Sequence, residues 1–151
     1  MTIVNRALAA VAAAAALAVL PPAWGDANVT APPVNNADFD LGQAAIQARD
    51  WATARYHLEI AATAEPANAD VMNLLGYTYR NLKDYPKAFR YYDAALKLDP
   101  NHRGAHEYIG EAYVLTGDKA KAREHLAALE RICGRGCEEY VDLAKAIAKA
   151  Q

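Results

Sequence analysis

The chain has 151 residues, room for one ordinary domain or one short array, and its 54% apolar and 23% charged composition supplies enough apolar material to bury a core. Its 16 basic and 18 acidic residues are dispersed, which excludes the basic footprint of a nucleic-acid binder and the acidic run of a solvating tail. Two Cys, four His and eight Gly leave little material for a zinc finger, an iron–sulfur site or a glycine-rich phosphate loop.

In chain order, residues 1–6 carry one positive side chain, Arg6, and residues 7–20 are fourteen consecutive apolar residues. A membrane-spanning helix needs about 20 such residues. Pro21-Pro22 ends the run early, and Ala23 and Gly25 flank Trp24 with small side chains, so residues 1–25 are expected to be a signal peptide cleaved after Gly25. Its removal leaves 126 residues with a net charge of −3 and no nearby Cys to carry a lipid. The mature chain is therefore expected in the periplasm, with no stable membrane anchor after cleavage. Residues 26–34 are rich in Ala, Asn and Pro and lack a period, which predicts a disordered lead-in.

From there a period of 34 runs to residue 136. Gly42, Gly76 and Gly110 share the interval, each after an aliphatic residue, as do Ala54, Ala88 and Ala122 and also Leu58, Tyr92 and Leu126. Pro66 and Pro100, and Tyr79 and Tyr113, add two more matched pairs. Apolar residues three and four apart predict paired helices at 37–48 with 51–64, 70–81 with 85–97, and 104–116 with 119–132. Glycine inside a helix costs about 1 kcal/mol relative to alanine, so its recurrence at one register implies close helix crossing. Glu65-Pro66 and Asp99-Pro100 end second helices, while Gly117 and Asp118 suit a left-handed turn followed by a helix cap. Residues 137–150 form a last amphipathic helix, with Tyr140, Val141, Leu143, Ala144 and Ile147 on one side.

The series Leu75-Gly76, Tyr79, Ala88, Tyr92, Ala95, Pro100 resembles the tetratricopeptide repeat, a helix–turn–helix of 34 residues. Asp38, Met72 and His106 stand where that family most often has Trp, and Gly134 stands where the first two repeats have proline. The resemblance implies an all-α solenoid of three repeats, 35–68, 69–102 and 103–136, closed by a capping helix at 137–151. It also implies a non-enzymatic scaffold that holds a protein or peptide in a concave groove lined by the first helix of each repeat. In that groove Phe39, Gln43, Ile46 and Gln47, then Asn73, Tyr77, Arg80 and Asn81, then Glu107, Glu111 and Val114 would meet the ligand. Glu107 and Glu111 oppose the Lys/Arg/Asn carboxylate clamp of many relatives.

Cys133 and Cys137 flank a three-residue turn, which leaves three readings: a structural disulfide, a redox-active pair, or two thiolates for a soft cation such as Cu(I). A thiol-redox or soft-metal-handling factor is thus the alternative function. A homo-oligomer whose groove binds a neighbouring copy is a third reading. His102 and His106 are four apart, but Asp99-Pro100-Asn101 puts the first in a turn and the second in a packing slot. No nucleophile elbow, paired-acid motif or metalloprotease motif occurs, so no catalytic residue, cofactor or metal is expected.

Overall fold

The structure is a computed structural model that describes residues 37–150. The expected signal peptide 1–25, the lead-in 26–34 and residues 35, 36 and 151 lie outside the described residues. Seven helices follow one another: α1 (Ala37–Gln47), α2 (Trp51–Ala64), α3 (Ala69–Asn81), α4 (Tyr85–Leu98), α5 (Arg103–Thr116), α6 (Lys119–Cys133) and α7 (Glu138–Lys149). No strand occurs among the described residues. The architecture is an all-α solenoid of three helical hairpins and a closing helix, as the period of 34 predicts.

The turn inside each hairpin is built the same way three times. Arg49, Lys83 and Gly117 take the left-handed backbone conformation, with φ of 57°, 66° and 90°. Asp50, Asp84 and Asp118 follow, and each carboxylate accepts a hydrogen bond from a backbone N–H in the next helix, that of Thr53, Lys87 or Lys121. Each Asp also donates its own N–H back across the turn, to the carbonyls of Ala45, Tyr79 and Tyr113 at 2.9 Å. Only the third copy shows the glycine that this conformation favours. In the first two, the aspartate cap and the backbone hydrogen bond offset the cost of a Cβ at positive φ. Between hairpins, the Asn68 side chain accepts from the N–H groups of Asp70 and Val71, and His102 Nδ1 accepts from that of Ala105.

The repeating glycines sit where helices press together. A Cβ on Gly42 would lie 2.6 Å from Leu58 Cγ, and one on Gly76 would lie 2.5 Å from the Tyr92 ring. In the third hairpin the pattern changes: the atom nearest a Cβ on Gly110 is Leu143 of α7, not Leu126. Leu143 stands 34 residues after Ile109, and Ile147 stands 34 after Tyr113. The closing helix therefore occupies the place a fourth first helix would take, packed on both α5 and α6. Leu143 and Ile147 join Ala122 and Leu129 in one buried cluster, while Leu58, Val71, Leu75, Tyr92 and Ile109 belong to the main one.

First helices touch across repeats, α1 with α3, α3 with α5 and α5 with α7, whereas α2, α4 and α6 do not touch one another. The side made by the first helices is the closer-packed one. It is the inner, concave side of the array.

Candidate peptide-binding groove

Four first helices line this face. On α1, Gln43 and Gln47 are exposed and Ile46 is half-buried, and with Leu74 they border a shallow hollow. Phe39 is half-buried and packs against the main core. On α3, Asn73 is only 5% exposed, pushed between α3 and α5 so that its Nδ2 lies 3.2 Å from where a Gly104 Cβ would be. Burial turns Asn73 from a ligand-facing amide into a wedge between two repeats.

The centre of the face is an aromatic and ionic cluster. Tyr77 meets Trp51 edge-on at 5.9 Å and Tyr108 at 4.8 Å between ring centroids. The Arg80 guanidinium stands 4.9 Å from the Tyr77 ring centroid and 5.3 Å from that of Tyr108, donates to the Tyr108 carbonyl and makes an ion pair with Glu111. Arg80 is only 9% exposed, so its charge is consumed by the fold and locks α3 to α5. Asn81 donates from Nδ2 to the Tyr77 carbonyl at 2.8 Å, which leaves its side-chain oxygen as an acceptor. Burial raises the Tyr108 phenol to about 12, with the Glu107 charge adding to the effect, so the ring stays neutral at physiological pH.

Glu107 is the unmatched group. It makes no ion pair or hydrogen bond among the described residues. Burial raises its carboxyl to about 8, and the neighbouring Glu111, Asp142 and Glu139 push the same way against Arg80. Asp142 and Glu139 come from α7, and Arg103 partners Glu139 at 3.3 Å. The C-terminal half of the groove is thus acidic beside α7, and this region holds no carboxylate clamp.

Several contributors were not foreseen from the sequence. Trp51 starts a second helix, and its role emerges only when α2 is set beside α3. Asp142 and Lys149 belong to α7, which the 34-residue interval from Ile109 to Leu143 could have assigned to the groove. The structure pairs the sulfurs of Cys133 and Cys137 across the 134–136 turn, with Cα atoms 5.9 Å apart. His106 does not face His102. Its Nδ1 is 2.9 Å from Nδ1 of His125, and its Nε2 is 3.0 Å from the Pro100 carbonyl.

Consecutive antiparallel hairpins, small residues at each crossing and a concave face of first helices define a helical repeat protein built to present a surface. Two tetratricopeptide-repeat models match the chain, at residues 39–103 and 81–132. The chain belongs to the tetratricopeptide-repeat family. It is 32% identical over 97 residues to anaphase-promoting complex subunit 3 of Schizosaccharomyces pombe, a match covering 64% of this chain and 15% of that protein. Among solved structures, the TPR domain of Arabidopsis OM64 superposes with a TM-score of 0.69 at 16% identity, covering 76% of this chain and 94% of the other. The TPR2B domain of yeast Sti1, solved with an Hsp70 peptide ligand denoted pHsp70, superposes at 0.68 with 18% identity over 76% and 96%.

Proposed function

We propose that this chain is an exported, non-enzymatic adaptor that holds an extended segment of another protein along the face made by α1, α3, α5 and α7. The observation that carries the reading is that face itself, closely stacked and pinned at its centre by Tyr77, Arg80, Tyr108 and Glu111. A groove already locked by internal contacts loses little ordering entropy when it binds. The Sti1 domain with its Hsp70-derived partner is a structural neighbour that works by capture, and the family is generally a scaffold.

The test is photo-crosslinking in cells from single positions. A photoreactive residue at the exposed Gln43 or the half-buried Asn81 yields discrete adducts, whereas one at the exposed Arg123 or Glu124 of α6 does not. Equal adducts from both sides remove the groove assignment. The same preparation tests export: the mature protein begins at Asp26 and fractionates with the periplasm, and an intact Met1 sinks that part of the reading.

A second reading has one observation in its favour. The Cys133 and Cys137 sulfurs and a Glu139 carboxylate oxygen lie within 4.8 Å of one another, so a reduced protein would offer three donors to a soft or borderline cation. Titration of the reduced protein with Zn²⁺ separates the readings. Stoichiometric binding lost in Cys133→Ser supports the metal-handling alternative; no binding leaves the pair a structural staple.

A further inference from the structure

The geometry points to an anchoring pocket for an aliphatic group carrying a carboxylate, supplied by an acidic residue beside an aliphatic one in the partner's extended segment. This rests on the adaptor reading and specifies the chemistry of what is held. A cavity of about 410 Å³ opens between the C-terminal ends of α3, α5 and α7, within the size range of ligand pockets. Val114, Leu115, Ala146 and Ala150 form its apolar walls. Leu115 is 57% exposed, an apolar side chain left in water beside a concavity that an aliphatic group could fill.

The rim supplies the charge. Arg80 and Glu111 border the cavity but neutralise each other, so neither sets its sign. Lys83 and Lys149 remain, and no carboxylate partners either among the described residues. Lys83 sits on the left-handed turn after α3, its N–H held by the Arg80 carbonyl at 3.0 Å, so the stem leaves from a fixed backbone. Lys119, which is close by, already donates to the Ala150 carbonyl at the end of α7. An apolar hollow with two unmatched ammonium groups on its edge complements an amphipathic anion and disfavours an amphipathic cation.

Three fragments of equal size, hexanoate, hexanol and hexylammonium, added to ¹⁵N-labelled protein test the pocket directly by NMR. Hexanoate is expected to shift the amides of Asn81, Lys83, Leu115 and Lys149 most strongly, and Lys83→Glu/Lys149→Glu to weaken its binding by about tenfold or more. Both lysines are exposed, so the variant keeps its core. An N-acetylated, C-amidated peptide with a Leu-Glu pair is expected to compete with hexanoate, and the same peptide with Leu-Lys is not. Equal binding of hexanoate and hexylammonium, no shift at these amides, or an unaffected double variant overturns the proposal. Tighter binding to phosphatidylglycerol vesicles than to the Leu-Glu peptide, through the same lysines, overturns it in favour of a membrane surface. Crosslinks from Gln43 with no fragment binding would remove this pocket and leave the adaptor reading intact.

Discussion

The histidine pair inside the third hairpin has a fixed protonation pattern. The Pro100 carbonyl can only accept, so His106 Nε2 carries hydrogen, His106 Nδ1 is an acceptor and His125 Nδ1 is the donor. Both rings are then neutral. Burial holds His125 down at about 4, with His106 adding to the effect. His106 is lowered first by burial, then by Arg131 and His102, against its hydrogen bond to Pro100 and the charge of Asp99. Tyr113 stacks on the His125 ring at 5.7 Å. A ring whose folded value lies below its unfolded value of about 6.5 binds more protons when unfolded, so stability falls as pH drops from about 6.5 towards 4. Glu107 has the opposite sign: its folded carboxyl, at about 8, lies above its unfolded value, so its contribution is lost as pH rises from about 4.5 to 8. Urea melts against pH are expected to show an optimum between these limbs. His125→Gln should flatten the acid limb and Glu107→Gln the alkaline one, and limbs unchanged in both variants contradict the assignment.

Gly76 offers a sharper test at the same scale. Alanine is the better helix former by about 1 kcal/mol, so an open site would gain stability. Here the new methyl would meet the fully buried Tyr92 ring at 2.5 Å, and overpacking of that kind costs about 1–3 kcal/mol. Gly76→Ala is therefore expected to lose about 2 kcal/mol, with a fall of several degrees in Tm by calorimetry.

At the scale of elements, the hairpin turns set the prediction. Arg49 and Lys83 hold a conformation that Gly117 adopts freely. Arg49 is exposed, so Arg49→Gly is expected to raise stability by up to about 1 kcal/mol in denaturant melts, while Asp84→Ala, which removes a cap, costs about 1 kcal/mol. The two changes moving in the same direction would contradict the turn model. The same elements show what could be read from residues alone. Helix positions followed from the Gly, Ala and Pro columns because close packing forbids larger side chains there, and that constraint is local and repeated. The left-handed turn was visible only at Gly117, since Arg49 and Lys83 adopt it through hydrogen bonds that no residue type announces. Tyr77, Arg80 and Glu111 were placed on the right face, but their mutual contacts were not legible. They depend on side-chain reach between helices 31 residues apart in sequence. The partnership of His106 with His125, and the wedge role of Asn73, were hidden for the same reason.

For the whole molecule, α7 decides whether the third hairpin is finished. Leu143 and Ile147 cover the flank of α5 and α6, and Leu143 fills the space above Gly110. A chain ending at residue 136 would expose Ile109, Leu129 and Tyr113 on an open end. Such a truncation is expected to self-associate in sedimentation velocity and to lose the amide-exchange protection of α5 and α6 while α3 and α4 keep theirs. Uniform loss of protection in all hairpins would mean that the array is one cooperative block. Reducing the Cys133–Cys137 pair is expected to be milder, about 2 kcal/mol for so short a loop in the chain-entropy model.

Contact along one edge only has a mechanical corollary. Each hairpin leans on the next like a leaf of a folding screen, joined at the spine and free at the outer margin. A slight rotation at every seam adds up along the stack, so the screen can widen or narrow while each leaf stays rigid. Its grip adjusts to the thickness of whatever lies against the spine, and no helix has to melt for that adjustment to happen.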